Sequence, residues 1–310
     1  MKTASFKRIV QSLAVLGFVL SGASAFAAST WDWAFNTACK TTNSTGAVVN
    51  LTSDTSVASV VCTDSTGNPG TAGSATVTLS AYSTTRDPAF PTVVTSTGTA
   101  FAAASLVLFG GNHVGVRNES TSTDYTAPEH AMDNHLATDV ILMNFSKAVD
   151  LDLVSIGWSQ NDSDISVLRY APTATQQAAP ASIAGKTIAQ LTTSGWVSVG
   201  NYANTTGTAS AGQSYTDKNA AIAGSDSSSW WLISAYNSAF GGTCTAVTTG
   251  TTCDNGTTTA GNTAALRGGS DFVKLSGVSA TKVPEPGSFA LLGLGLIGMV
   301  AARRRKQSSM

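Results

Sequence analysis

Asp139-Val140-Ile141-Leu142-Met143-Asn144-Phe145, then Ser146-Lys147-Ala148, then Val149-Asp150-Leu151-Asp152-Leu153-Val154-Ser155-Ile156-Gly157-Trp158, is the stretch that decides the fold. The two apolar-rich runs read as long β-strands, and the polar triplet between them reads as a tight turn. Beyond them Gln160-Asn161-Asp162-Ser163-Asp164 turns the chain, and Ile165 to Tyr170 forms another strand.

Strand-like runs continue on both sides. Upstream, Trp31 to Thr37, Ala47 to Leu51, Val57 to Cys62, Ala75 to Tyr82 and Phe101 to Phe109 qualify, with a turn at Gly67-Asn68-Pro69-Gly70. Downstream, Gly195 to Tyr202, Ser229 to Asn237 and Asp271 to Val278 follow the same pattern, whereas Ile183 to Leu191 fits either a short helix or a strand. So many short strands with long loops and hardly a helix predict an all-β fold, an antiparallel β-sandwich of jelly-roll-like style. The composition agrees: Thr, Ser, Ala, Gly, Val and Asn are abundant, while Lys, Glu, Leu and Arg are scarce.

Both ends of the chain differ from this core. Met1 to Ala27 has basic Lys2, Lys7 and Arg8, an apolar run from Ile9 to Leu20, and small residues at its end. That is a secretory signal; Ala25 and Ala27 satisfy the small-x-small rule, which predicts cleavage by signal peptidase after Ala27. At the other end, Val283-Pro284-Glu285-Pro286-Gly287 precedes an apolar run from Phe289 to Ala302 and the cations Arg303, Arg304, Arg305 and Lys306. The prolines keep a packed helix from crossing this point, and the run behind them is apolar on all sides. Residues 303–306 act as a membrane stop that stays cytoplasmic and leaves the bulk of the chain outside. The expected division is a signal peptide at 1–27, an extracellular β-sandwich at 28–280 and a sorting tail with a single hydrophobic helix at 281–310.

Removing the signal and the apolar tail changes the charge. Of 17 Lys and Arg, seven leave with these segments (Lys2, Lys7, Arg8 and 303–306); of 18 acids only Glu285 does. Ten cations then face seventeen carboxylates, a net charge of −7, and such a surface excludes nucleic-acid binding.

The order Val283-Pro284-Glu285-Pro286, hydrophobic segment, Arg-rich end resembles the PEP-CTERM sorting signal of Gram-negative bacteria, which is read by the membrane protease-transpeptidase exosortase. The resemblance implies transient insertion in the inner membrane, recognition at Pro284, Glu285 and Pro286, removal of the tail, and delivery to the cell surface or extracellular matrix. The core also resembles the XDP-type group of exosortase-dependent surface proteins, through Gly115-Val116 with Asn118, His130 with Asp133-Asn134, Ile156-Gly157-Trp158, Asp162-Ser163-Asp164, Trp231 to Asn237, and Asp271 to Leu275. Together these imply a non-enzymatic surface or matrix protein of an exopolysaccharide-producing bacterium, with a structural or adhesive role in envelope, floc or biofilm. Its partners beyond the processing enzymes would be exopolysaccharide or other surface proteins. The alternative is a secreted carbohydrate-binding module or carbohydrate-active enzyme carrying the same tail.

Cysteine use fits export. Cys39, Cys62, Cys244 and Cys253 are even in number, so two disulfides are expected, local pairing being the simplest of three connectivities.

Nine of the seventeen core carboxylates and all three histidines fall between His113 and Asp164, the region to search for a ligand. Asp133, Asn134, Asp139, Asp162 and Asp164 offer the hard oxygen ligands calcium takes, though not at EF-hand spacing. Against this stands the reading that they make turns by bonding nearby backbone amides. As glycosidase pairs, Asp162 with Asp164 and Glu129 with Asp133 are sequence neighbours that rarely face a sugar from two sides. His130 and His135 share no face of a strand or helix. There is no Gly-x-Ser-x-Gly elbow and no phosphate loop. No cofactor is required by anything in the sequence. Trp196, Trp230 and Trp231 could stack on sugars, but strand tryptophans are more often core.

Overall fold

The computed structural model describes residues 30–283 except 38, 43–45, 53–54, 65–74, 86–98, 111, 119–129, 135–136, 162, 174–175, 177–180, 204–217, 223–225, 247–252 and 254–270. Nearly all of the regular structure in the described part is strand. In the first half these are β1 (Thr30–Ala34), β2 (Lys40–Thr42), β3 (Val48–Asn50), β4 (Ser56–Val57), β5 (Ser59–Thr63), β6 (Thr76–Thr84), β7 (Phe101–Phe109), β8 (His113–Arg117) and β9 (Met132–Asp133). In the second half come β10 (Asp139–Asn161), β11 (Ile165–Tyr170), β12 (Trp196–Ala203), β13 (Lys218–Ala221), β14 (Ser228–Ala235), β15 (Cys244–Ala246) and β16 (Asp271–Lys282). One helix, α1 (Ile188–Thr193), and a 3-10 turn at Ser238–Phe240 complete the described elements.

The stretch opening this account departs from expectation: residues 139–161 are one strand, not a hairpin. Ser146-Lys147-Ala148 holds no residue suited to the positive φ that a tight hairpin turn needs, so the chain runs straight through. The triplet instead marks a change of partners. Residues 139–145 of β10 pair with β6, and residues 140–144 pair with β14 on the opposite edge. From Val149 onward the same strand pairs with β16, and residues 153–156 also pair with β13. At the crossing, Ser146 Oγ accepts a hydrogen bond from the Thr76 amide at 3.0 Å. A strand that switches sheets in this way makes the corner of a sandwich.

Because β10 serves both layers, the ladder closes on itself through β10, β6, β7, β8, β16 and back to β10. Two wings extend it: β14, β11, β12 and β15 from one edge of β10, and β5, β2 and β3 from β6. All these pairings are antiparallel except β12 with β15. The fold is the antiparallel all-β architecture expected from the strand pattern.

Side-chain alternation places the core. Ile141, Met143 and Phe145 of β10 join Val77, Leu79, Trp33, Trp231, Ile233, Val273 and Leu275 between the layers. Val140 and Leu142 point the other way, into a second cluster with Leu168, Leu232, Trp196 and Phe101. That cluster is covered by α1 and the segment before it through Ala181, Ile183, Ile188 and Leu191. Both faces of the first half of β10 are therefore buried, which is why Val140 to Met143 is apolar without interruption.

The ambiguous run Ile183 to Leu191 ends in a helix because Thr187 and Gln190 form a capping box: the Thr187 side chain accepts from the Gln190 amide, and the Gln190 side chain accepts from the Thr187 amide. The disulfides are Cys39–Cys62 and Cys244–Cys253, the local pairing.

Candidate functional site

The acidic and amide residues singled out in the sequence are brought together at strand ends. Asp133 closes β9, Asp139 opens β10, Asp164 precedes β11, and Asp271 opens β16. Asp133, Asn134, Asp139, Asp164 and Asp271 are all 3 % exposed or less. Asn134 Nδ2 donates to Asp271 Oδ2 at 2.6 Å and to the Tyr236 carbonyl at 2.8 Å, while the Asp271 amide donates back to Asn134 Oδ1 at 2.8 Å. Asp271 Oδ1 accepts from the Asp164 amide at 2.8 Å, and Asp139 Oδ2 accepts from the Asp133 amide at 3.4 Å. Next to them Asn237 Nδ2 donates to Thr138 Oγ1, and Ser166 Oγ to Asn201 Oδ1.

Four of these bonds join residues more than a hundred positions apart. Among the described residues no group of three or more His, Cys, Asp or Glu is placed to hold a metal ion. Asp162 of the calcium set lies outside the described residues, as do Glu129 and His135. Asp271 and Asn237 belong to the network but not to the candidate ligands read from sequence. The available signal was a carboxylate opening an otherwise apolar strand and an Asn closing one.

The described histidines serve packing. His130 stacks on Phe109 with ring centroids 4.4 Å apart. Beyond Phe109, the Lys274 ammonium lies 3.8 Å from its ring centre and 4.3 Å from that of Trp158, a buried cation held between two aromatic faces. His113 covers Gly157, where a Cβ would meet the imidazole. Trp196 and Trp231 are core residues at 1 % exposure, and half-buried Trp230 packs against the second cluster.

Several concave surfaces remain among the described residues, among them one of about 530 Å³ beside β3 and β4, walled by Thr41, Asn50, Thr52, Thr55 and Ser59. Another, of about 450 Å³, crosses β1, β16, β10 and the start of β8 and presents Asp32, Asn36, Asn112, His113, Ser155 and Ser279. A smaller one, of about 130 Å³, holds Asp150, Asp226 and Arg169. Arg169 forms an ion pair with Asp226. Partial burial raises the Asp150 carboxyl above its ordinary value, and the neighbouring carboxylates of Asp152 and Asp226 push the same way against the opposing Arg169 charge.

The last strand leads to the sorting signal. β16 is paired along both edges, with β10 over its length on one side and with β9, β8 and β1 in turn on the other. It reaches Lys282, past the boundary at 280 drawn from sequence. Thr281 lies opposite both Thr30 of β1 and Asp150 of β10, and its hydroxyl donates to Asp152 Oδ2 at 2.7 Å. Lys282 lies opposite Val149, with its ammonium 5.9 Å from the Trp31 ring centre. Of the processing residues only Val283 is described; Pro284, Glu285, Pro286, Arg303, Arg304, Arg305 and Lys306, like Ala25 and Ala27 at the other end, lie outside the described residues. Among the described residues no helix is long and apolar enough to cross a membrane.

Compared with known proteins, the whole chain matches no curated protein and no solved structure. Its C-terminal part does find a match, to the family model described as the PEP-CTERM protein-sorting motif, over residues 282–306. The all-β domain thus ends in a PEP-CTERM sorting motif, which marks the chain for export and exosortase-dependent placement at the cell surface.

Proposed function

We propose that the mature domain is a non-enzymatic structural or adhesive component of the cell surface or extracellular matrix, contributing to envelope, floc or biofilm. The observation that carries this reading is the sorting motif at 282–306, joined directly to a disulfide-bonded β-domain. Two features support it. Of the acids and tryptophans that a carbohydrate-active enzyme would present, Asp133 and Asp164 are 3 % and 0 % exposed, and Trp196 and Trp231 are core. The concave surface with Asn36, Asn112, His113 and Ser155 offers amide, imidazole and hydroxyl groups, which suit a hydroxyl-rich polymer such as exopolysaccharide. In this reading the domain works without a cofactor.

A deletion strain complemented with wild-type protein or with an Asn36→Ala, Asn112→Ala variant tests the proposal. Loss of aggregation or attachment on deletion, with partial recovery by the double variant, is the expected result. Unchanged aggregation and attachment on deletion would reject the role, and turnover of a polysaccharide by the purified mature domain would replace it with the enzyme reading. Millimolar calcium is expected to leave the melting temperature unchanged; a rise would place a metal in the domain.

A further inference from the structure

The sorting motif and the final strand share a residue. The match begins at Lys282, and Lys282 is also the last residue of β16, paired with Val149. Pro284 therefore stands two residues, at most about 7 Å of chain, from a backbone fixed in a sheet. Up to Thr281 that backbone is flanked on both sides, by Thr30 of β1 and by Asp150 of β10. Neighbouring strands lie about 4.8 Å away. They occupy the space that the walls of a protease cleft would have to fill to grip the peptide ahead of Pro284.

The pairing at this end is reinforced by side chains. Ala280 is fully buried opposite Trp31, which is 6 % exposed, and Val149 beneath Lys282 is fully buried. The Thr281 hydroxyl is tied to Asp152, and the Lys282 ammonium faces the Trp31 ring. β1 begins three residues after the expected signal-peptidase cut. Its antiparallel register sets Thr30, the first described residue, opposite Thr281, one residue before the match begins. The first and last strands of the described domain thus lie side by side at this pole.

We propose that the β1–β16–β10 ladder gates processing: exosortase acts on the chain only while residues 279–282 are unpaired from β1 and β10, and closing the ladder shields the junction. This rests on the tail being an exosortase substrate and adds what regulates its removal. Processing is then confined to chains newly emerged or locally opened at this pole, where the tail is still in the membrane.

A cross-strand lock tests the gate. Thr30 and Thr281 are direct partners, and opposed residues in antiparallel strands stand within disulfide reach. The full-length chain is expressed in its own host as wild type, as Thr30→Cys with Thr281→Cys, and as the same lock carrying about eight Gly and Ser residues between Lys282 and Val283. Intact-mass spectrometry of the membrane and matrix fractions reads the proportion that keeps its tail.

The lock is expected to slow tail removal by about tenfold or more, and the linker to restore it to near the wild-type rate. Tail removal from the locked chain at the wild-type rate would overturn the gate while leaving the substrate reading intact. So would a locked chain that the linker fails to rescue. A wild-type chain that reaches the matrix with residue 310 still attached would overturn the substrate reading itself, and the gate with it.

Discussion

Asn134 and Asp271, 137 positions apart, hold each other through three hydrogen bonds: the Asn134 side chain donates to the Asp271 carboxylate at 2.6 Å, the Asp271 amide to the Asn134 side-chain carbonyl at 2.8 Å, and the Asn134 amide to the Asp271 carbonyl at 3.4 Å. The pair fixes the start of β16 against the turn after β9, and Asp271 also accepts from the Asp164 amide. Since neither residue is exposed, loss of one leaves the other's polar atoms in a place water does not reach. Asn134→Ala and Asp271→Ala should each lower unfolding free energy by about 2–4 kcal/mol, and the double variant should cost much less than their sum. Urea denaturation of the mature domain checks both statements.

Gly115 and Gly157 are both places where a Cβ has no room, but their neighbours differ. At Gly115 the nearest obstacle is the His130 carbonyl oxygen, which is backbone; at Gly157 it is first the His113 imidazole and then Ser276 Cβ. A side chain can be removed, whereas backbone must shift. Gly157→Ala is therefore expected to destabilise by about 1–3 kcal/mol and to be partly rescued by His113→Ala, the remainder coming from Ser276 Cβ, while His130→Ala leaves the cost of Gly115→Ala in place. Melting temperatures of the four combinations decide it.

The two disulfides should differ in worth. Cys39 and Cys62 are each 1 % exposed and belong to the main core, and their bridge spans 23 positions. Cys244 is exposed, and its bridge to Cys253 spans only 9. Replacing the first pair by serine should cost about 3–5 kcal/mol, because a longer loop is released and two hydroxyls enter the core. Replacing the second should cost about 2 kcal/mol or less. Thermal unfolding with tail and signal absent is the measurement.

Asp150 carries an unfavourable charge in the folded state. Its carboxyl is raised above the ordinary value by partial burial and by Asp152 and Asp226, so the folded chain holds this proton more tightly than the unfolded one. The cost is absent below the ordinary carboxylate range, where both states are protonated, and is complete above the raised value. Asp150→Asn should thus raise the unfolding free energy at pH 7, by less than about 1 kcal/mol for a group still partly solvated, and the gain should vanish near pH 3. An equal gain at both pH values would refute a charge origin.

Strand positions were largely legible in the residues. Phe101 to Phe109 and Ile165 to Tyr170 were read to the residue, because a short apolar, β-rich run and its flanking turn chemistry are local properties. The hairpin at Ser146-Lys147-Ala148 was not, because a polar triplet looks the same whether it turns the chain or carries it from one layer to the next. Which of these happens depends on β14 and β16, whose residues lie some 80 to 140 positions away. The acidic middle was legible as a cluster, but its chemistry was not. Asn134 and Asp164 are held inside by Asp271 and Tyr236, and no local pattern announces those partners.

Destination, by contrast, was determined by the sequence alone. A Pro-Glu-Pro motif with its apolar run and basic end is a linear address, so its meaning does not wait on folding. Tertiary structure decided what surrounds the address. Only the antiparallel register of β1 and β16 places Thr30 opposite Thr281 and brings the paired sheet to the edge of the sorting motif, because strand pairing joins residues that the linear chain keeps 251 positions apart.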